Sequence, residues 1–392
     1  MKQIEIFFRT FFLSVFLLSA ISTTYAAELK PEDMDSVEIG LITCSPHEEI
    51  YSLYGHTALR CHNMKTGTDI TFNYGMFNFK APYFALRFVF GKTDYELGVV
   101  PTDYFCKYYQ DWGSQVTEQV LNLSAKEKWD IMQALFVNLR PENCTYRYNF
   151  LYDNCSTRPR DIIVNHLQGK VIFEERTDFE PTYREMIHEL TRHHEWATMG
   201  NDLLLGVKAD QKTTREQQEF LPMNLLYDFD HAQVYANGIY RQLVKERRIL
   251  VSAGIQVIEK DFPLSPMDCA ILLLLVCLGI LMIEWKQKKH YVWFDATLML
   301  ATGLSGCIIL LMFFSDHPTT STNLQIFLLN PLPLFYLPAV LRHSKTTHYW
   351  NISLGMTCLF LLGALWQDYA EGMEVLALCL LTRYWSHIRN DK

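Results

Sequence analysis

The residues best suited to chemistry are one cysteine and one histidine in the first half of the chain. Cys155 lies in the stretch YNFLYDNCSTRPRD, well downstream of His56 in LYGHTALR. An imidazole can accept the proton of a thiol, and the thiolate is the nucleophile of thiol enzymes. The pair therefore predicts a thiol enzyme whose general base precedes its nucleophile in the chain.

The local pattern around Cys155 predicts a helix over residues 157–167 with Ser156 or Thr157 as its N-cap. Cys155 then lies at a helix N-terminus, where the helix dipole and a nearby imidazolium lower a thiol pKa below about 8.5. Backbone N–H groups at the same helix start could also stabilise the oxyanion of an acyl-transfer intermediate.

The elements that must position this pair are strands before the cysteine and helices around it. A Ser-x-x-Glu capping box at Ser124 and Glu127 predicts a helix over residues 125–139. Three β-rich stretches predict strands, with His56 on the second of them: VEIGLIT, HTALRC and DITFNYGMF. We therefore expect an α+β fold.

The N-terminus predicts export. Lys2 and Arg9 precede an apolar run over 11–21, and small residues follow at Ala26 and Ala27. This pattern predicts a secretory signal peptide over residues 1–26. An uncleaved anchor is the alternative, although the apolar run is short for a span of roughly 20 residues.

Composition divides the remainder into an external domain over 27–262 and a membrane domain over 263–392. The second part contains four apolar segments near the length that a bilayer requires and a shorter fifth one. These segments are Met267–Ile283, Val292–Phe314, Leu324–Leu341, Trp350–Trp366 and Val375–Trp385.

Loop charges orient the segments, since Lys and Arg collect on the cytoplasmic side of short loops. Lys286, Lys288 and Lys289 lie in the first loop, whereas the second and fourth loops, 315–323 and 367–374, contain no Lys or Arg. Five spans would then place the external domain outside and the C-terminus in the cytoplasm.

Five of the ten cysteines lie in the external domain, so at least one of them is unpaired. Pairing of Cys44 with Cys61 and of Cys106 with Cys144 is one option among several. The other five lie in apolar segments and suit packing. Cysteines and histidines show no familiar zinc spacing, and we expect no metal, cofactor or nucleic-acid partner; a metal site at His47, His56 and His62 is a weaker alternative.

LYGHTALR, FNYGMFNF and NFLYDNCSTRPRDII resemble the external domain of the Lnb-type lipoprotein N-acyltransferases of Bacteroidota. The resemblance continues through LLLG with Asp210, FLP at 220–222 and DHPTTSTNLQIFLLNPL. The histidine-then-cysteine order is more distantly similar to permuted NlpC-type hydrolases and to the lecithin:retinol acyltransferase group. The resemblance implies a permuted papain-like external domain followed by about five spans. The chain differs in having His47 where we expect glycine, which leaves a second base open.

The resemblance makes Cys155 the acyl-accepting nucleophile and His56 its general base. Asn73 is the expected third group that orients the imidazole, with a strand-closing asparagine as the alternative. Tyr54 and Asn154 flank the two reactive residues and are expected to line the pocket.

Four other residues are candidates for binding the lipid substrate near the membrane surface. Arg158 and Arg160 could hold a phosphate by bidentate contacts, or could simply pair with Asp153 or Asp161. His317 and Asn323, in the external loop DHPTTSTN, could meet the external domain at the membrane surface, or belong to a solvated loop.

The function implied by the resemblance is lipoprotein N-acylation at the bacterial inner membrane, with the catalytic domain in the periplasm. A fatty acyl group would pass from a membrane phospholipid, through a Cys155 thioester, to the α-amine of the N-terminal diacylglyceryl-cysteine of a lipoprotein. Two alternatives remain open: a membrane-tethered cysteine hydrolase acting on peptidoglycan peptide bonds, and a non-catalytic envelope binding protein.

Overall fold

A computed structural model describes residues 31–47, 49, 52–77, 82–176, 179–256, 262–344 and 346–390. The predicted signal peptide lies outside them. The chain folds into two compact units. The sheet unit comprises Met1–Arg87, Lys92–Glu180 and Thr214–Ile258, and the helical unit comprises Phe88–Gly91, Pro181–Thr213 and Glu259–Lys392.

The described part of the sheet unit contains ten strands: β1 Val37–Cys44, β2 His56–Asn63, β3 Thr68–Met76, β4 Asp94–Pro101, β5 Val116–Leu121, β6 Thr145–Arg147, β7 Lys170–Ile172, β8 Gln233–Ala236, β9 Ile239–Gln242 and β10 Val244–Val251. Seven of them form one sheet of order β10-β5-β1-β2-β3-β4-β6, in which the neighbouring strands are antiparallel. The other three form a second sheet of order β7-β8-β9.

The three predicted strands are confirmed as β1, β2 and β3, and His56 begins the second of them. The helices are α1 Phe84–Val89, α2 Thr102–Asp111, α3 Ala125–Asn138, α4 Thr157–Asn165, α5 Tyr183–Thr191, α6 Glu195–Leu204, α7 Arg215–Gln218, α8 Pro222–His231, α9 Pro266–Gln287, α10 Val292–Met312, α11 Leu332–Leu341, α12 Thr347–Gly363 and α13 Met373–Asn390.

Burial explains why the sheet forms where it does. β1 is buried along almost its whole length, as a central strand must be. Leu41 and Phe72 are fully buried, and Ile131 and Leu135 of α3 belong to the same core. The capping box that opens α3 is present: Ser124 Oγ accepts from Glu127 N, and the Glu127 carboxylate accepts from Ser124 N.

The helical unit contains three described segments that are long and apolar enough to cross a membrane, namely Pro266–Gln287, Val292–Met312 and Leu324–Leu341. The third is not one continuous α-helix. It starts as a 3-10 turn over Leu324–Phe327 and continues as α11; two prolines, Pro331 and Pro333, stand at the break and have no N–H to continue a helix through it. The five-span count stays a prediction.

A buried ion cluster joins α9, α10 and α13 of this unit. Arg383 of α13 donates to Glu284 of α9 over 2.7 Å and to Asp295 of α10 over 2.7 Å. His387 contacts Asp295 over 2.8 Å, and Ser386 donates to Glu284. Charges at such depth are costly unless paired, so the cluster binds α13 firmly to α9 and α10.

Residues 181–213 lie in the predicted external domain but fold with the helical unit. Gly206 N donates to Thr319 O over 2.8 Å and Val207 N to Thr322 O over 2.9 Å. The side chain of Gln367 donates to Leu205 O over 3.0 Å. The segment therefore packs on two loops that connect membrane segments.

All ten cysteines are free thiols. Cys44 pairs in register with His56, and Cys61 with Ile39, so the two cysteines lie five residues apart along the ladder, or about 17 Å. A disulfide needs Cα atoms within roughly 7 Å, so the proposed pairing of Cys44 with Cys61 is wrong.

Candidate active site

The first residue of β2 and the N-terminus of α4 bring His56 and Cys155 together. The hydroxyls of Thr57 and Ser156, each next to one of them in the chain, are hydrogen-bonded over 2.9 Å and are buried. The side chains of His56 and Cys155 are themselves hydrogen-bonded. The two residues that the sequence singled out thus form a contact pair.

Asn73 of β3 holds the imidazole from the other side. Its Oδ1 lies 2.7 Å from His56 Nε2. With the amide oxygen accepting a proton from Nε2, the other ring nitrogen, Nδ1, is left to exchange a proton with the thiol. Such an arrangement of cysteine, histidine and asparagine suits nucleophilic catalysis.

The charges of this pair stabilise each other. Burial alone would raise the pKa of Cys155 and lower that of His56, but their opposite charges and their hydrogen bond outweigh burial. The backbone N–H groups of Thr57 and Cys155 add to the effect on the thiol. The pKa of Cys155 is therefore lower, and that of His56 higher, than their ordinary values, and both shifts act in the direction of a thiolate beside an imidazolium.

Gly75 of β3 leaves space beside Cys155 and His56. It has a φ of +98°, where glycine is favoured, and it lies where the pairing of β3 with β4 shifts register. A Cβ at this position would lie 3.6 Å from Cys155 Cβ and 3.7 Å from His56 Cε1. A side chain here would therefore occupy the space directly against the Cys155 thiol and the His56 imidazole.

Aromatic residues surround the pair. The ring of Tyr109 stacks on His56 with centroids 6.2 Å apart, and Phe105 lies at 6.3 Å. On β4 and beyond β6, Tyr95 and Tyr148 stack at 4.0 Å. Burial raises the pKa of Tyr109 and of Tyr148, so both stay neutral phenols.

Sequence reasoning missed these aromatic residues. The available signal was the i, i+4 spacing of Phe105 and Tyr109, which places both on one face of α2.

The side chain of Asn154 makes four hydrogen bonds within the protein. Its Oδ1 accepts from Ser156 N over 2.8 Å and from Thr157 N over 3.0 Å. Its Nδ2 donates to Phe150 O and Phe220 O, both over 2.8 Å. The amide, 2% exposed, therefore ties the loop before Cys155 to the start of α8.

This changes two expectations about the helix start. Ser156 is the N-cap residue but its side chain makes no capping bond; Asn154 caps the helix instead. The N–H groups of Ser156 and Thr157, expected to face an oxyanion, already bond Asn154. The N–H of Cys155, which lies against its own sulfur, is the helix-start donor that the reacting centre retains.

Both arginines after the cysteine pair with carboxylates, as the alternative reading expected. Arg158 binds Asp153 through two bonds of 2.5 and 2.7 Å and lies over the Tyr146 ring at 3.6 Å. Arg160 donates to Asp161 over 2.7 Å and to Glu219 over 3.1 Å. A phosphate at either guanidinium would have to replace a carboxylate.

The remaining predicted site residues, Tyr54, His317 and Asn323, lie in different units of the chain. Tyr54 packs edge-on against Phe150 with ring centroids 4.9 Å apart, in the sheet unit with Cys155. His317 and Asn323 belong to the helical unit, where His317 Nε2 lies 2.9 Å from Phe88 O and Asn323 donates to Leu203 O over 2.8 Å.

His47 is buried, and its Nδ1 contacts the hydroxyl of Ser52. Its ring stacks on Tyr109 at 6.1 Å, the residue that also stacks on His56, and burial lowers its pKa. Among the residues that the structure describes, no cluster of His, Cys, Asp or Glu is arranged to hold a metal ion.

Comparison with known protein families identifies both halves of the chain. Residues 25–189 match the family model described as the Lnb N-terminal periplasmic domain, and residues 257–392 match that described as the Lnb transmembrane domain. No curated protein and no solved structure matches the chain.

The two matches occur in the order that the family's domain names imply, and together they cover most of the chain. They agree with a sheet unit that carries a thiol–imidazole pair and with a helical unit that contains membrane-spanning segments. The chain is an inner-membrane protein with a periplasmic N-terminal domain, and it belongs to the Lnb-type lipoprotein N-acyltransferase family.

Proposed function

We propose that this protein transfers a fatty acyl group from a membrane phospholipid to the α-amine of the N-terminal diacylglyceryl-cysteine of a lipoprotein. The observation that carries the proposal is the contact of Cys155 with His56, and of His56 with Asn73, inside an Lnb periplasmic domain. The acyl group resides on Cys155 between donor and acceptor.

In the first half-reaction the Cys155 thiolate attacks the ester carbonyl of the phospholipid. The Cys155 N–H stabilises the oxyanion, and the bond to the glycerol oxygen breaks as His56 donates its proton to that oxygen. A thioester on Cys155 and a lysophospholipid result, and the imidazole is left neutral.

In the second half-reaction the neutral α-amine of the lipoprotein attacks the thioester carbonyl. His56 accepts the proton that the amine loses as the new C–N bond forms, and the C–S bond breaks. The products are an amide at the lipoprotein N-terminus and the thiolate–imidazolium pair from which the cycle began. Asn73 keeps Nε2 protonated and the ring oriented throughout.

Transfer to an amine requires that water does not intercept the thioester. The aromatic surroundings of the pair, formed by Tyr109, Phe105 and Tyr148, support this requirement. So does the membrane unit, because a phospholipid donor and a lipidated acceptor both reside in the bilayer. A hydrolase would share Cys155 and His56 but would pass the acyl group to water.

Mass spectrometry of mature lipoproteins tests the proposal directly. In cells that depend on this protein, Cys155→Ser and His56→Ala should each abolish the amide-linked acyl chain at the lipoprotein N-terminus. Cys144→Ser is the matched control, because Cys144 is a partly exposed thiol of the same unit that contacts Pro141 O. It should leave acylation unchanged.

A second measurement separates transfer from hydrolysis. Purified wild-type protein incubated with phosphatidylethanolamine should carry an acyl group on the Cys155 peptide that neutral hydroxylamine removes. Intact N-acylation in the Cys155→Ser strain, or a change confined to wall peptides, would refute the acyltransferase.

A further inference from the structure

The helical unit contains an apolar cavity of about 370 Å³. It is lined by Val207, Leu324, Phe327, Leu359, Leu362, Gly363 and Trp366. Leu359, Leu362 and Trp366 are also about half exposed on the surface of the unit, so the cavity opens sideways from the helices. No polar side chain is among its lining residues.

The depth of the cavity follows from the segments that build it. Val207 belongs to the 181–213 segment, which precedes the first membrane helix and is therefore on the same side as the periplasmic domain. Leu324 and Phe327 begin the third membrane segment, and Leu362 and Gly363 end α12. The cavity thus lies at the periplasmic ends of membrane helices, in the outer leaflet of the inner membrane.

At that depth the molecules available to an apolar opening are lipid chains. A group the size of a water molecule takes roughly 30 Å³, and a methylene is of similar size, so the cavity holds on the order of ten such groups. This volume matches much of one acyl chain.

The charge next to the cavity favours the donor over the acceptor. Lys208 directly follows the lining residue Val207 and is exposed, and it forms no ion pair with any residue within the described ranges. An ammonium on the residue next to a lining residue complements the phosphate of a phospholipid. The acceptor has no phosphate, and its own α-ammonium would be repelled.

We propose that this cavity binds one acyl chain of the donor phospholipid and selects the length of chain that is transferred. The inference rests on the proposed function, since it assigns the donor subsite of the same reaction. Lipid surrounds the opening whether or not a chain is bound in the cavity, so binding removes little apolar surface from water. The selectivity for chain length therefore comes mainly from the packing of the chain against the cavity walls.

Competition between two donors tests the proposal. Full-length protein is reconstituted in vesicles holding equal amounts of dodecanoyl and hexadecanoyl phosphatidylethanolamine, with a synthetic diacylglyceryl-cysteine peptide as acceptor. Leu362→Trp fills the cavity and should raise the ratio of dodecanoyl to hexadecanoyl product about ten-fold, a typical selectivity for apolar pockets. Leu359→Ala should move the ratio in the opposite direction.

Leu361→Trp is the matched control, because Leu361 is the preceding residue of α12, is 39% exposed and does not line the cavity. Its product ratio should equal that of the wild type. Equal ratios in all variants, or equal shifts in Leu361→Trp and Leu362→Trp, would mean that the donor chain contacts the helices only as ordinary surrounding lipid. Either result would overturn the proposal. A ratio that follows the chains of the acceptor would overturn it as well.

Photolabelling gives a readout that needs no turnover. In Cys155→Ala protein, a phosphatidylethanolamine with a photoreactive acyl chain should label the α12 peptide, and the additional change Leu362→Trp should remove most of that label. Absence of labelling overturns the cavity proposal even if acylation is intact. Labelling without any acyl transfer by the wild type would instead refute the proposed function.

Discussion

Replacing Asn154 by alanine should destabilise the sheet unit and misplace the nucleophile. The amide makes four internal bonds, two from its oxygen to the start of α4 and two from its nitrogen to Phe150 O and Phe220 O. Loss of a helix cap costs about 1 kcal/mol. A buried carbonyl left without its donor costs about 1–3 kcal/mol.

Since the cap and at least one carbonyl are affected, the free energy of unfolding should fall by about 3 kcal/mol. For a unit of this size that corresponds to a decrease in melting temperature of roughly 6–12 °C. Displacing a nucleophile by about 1 Å can cost on the order of 100-fold in rate, so kcat should fall with little change in KM.

Differential scanning fluorimetry of the full-length protein in detergent measures the first effect, and acylation of a diacylglyceryl-cysteine peptide measures the second. Asn149→Ala is the control: Asn149 lies in the same loop and its Oδ1 accepts from Leu151 N and Tyr152 N, both over 3.1 Å. Its loss should cost at most about 1 kcal/mol. If Asn154→Ala has the melting temperature of the wild type and only raises KM, Asn154 contacts the substrate. The structural role of Asn154 would then be refuted.

Asn73→Ala removes a bond that helps to raise the pKa of His56, so kcat/KM should fall about 10–100-fold. The imidazolium is lost as pH rises through that pKa, so the alkaline limb of the pH profile should move to lower pH; an unmoved limb would argue against Asn73 as the orienting group. Gly75→Ala adds a methyl against Cys155 at a strained φ, and should reduce both stability and acylation. Gly67→Ala, with a φ of +74° and open space around it, should reduce stability alone; equal activity in the two variants would contradict the role of Gly75. Burial raises the pKa of Glu219, which is hydrogen-bonded to Asp228, to about 7. The folded state therefore holds a proton that the unfolded chain releases above about 4.3, so this contribution to stability is present at low pH and is lost as pH rises through about 7. Glu219→Gln should melt higher than the wild type at pH 8 by an amount equivalent to up to about 3 kcal/mol, and should match it at about pH 4, below the unfolded pKa; parallel melting curves would refute this.

Residue type and position made Cys155 and His56 candidates, and the resemblance to the Lnb family selected them from the other cysteines and histidines of the external domain. They also predicted β1 to β3 and the capping box at Ser124, since these depend on contacts between near neighbours in the chain. The apolar segments were visible because a bilayer imposes a length that composition alone reveals.

The partners of polar side chains could not be predicted in this way. Arg158 and Arg160 were as suited to phosphate as to carboxylate by sequence, and only the fold places Asp153 and Glu219 beside them. Asn154 was expected in the pocket because it precedes Cys155. Its four bonds depend on Phe220, brought near by the packing of α8.

The sequence by itself determined the candidate reactive groups and the compartments: a thiol, an imidazole, an exported domain and an apolar second half. The tertiary structure decided which residues surround the thiol and the imidazole, because sheet register places Asn73 and Gly75 against His56, and helix packing places Tyr109 on its ring. It also assigned residues 181–213 to the helical unit. Composition could not show this, since a polar segment that packs on loops looks the same in sequence as one in a soluble domain.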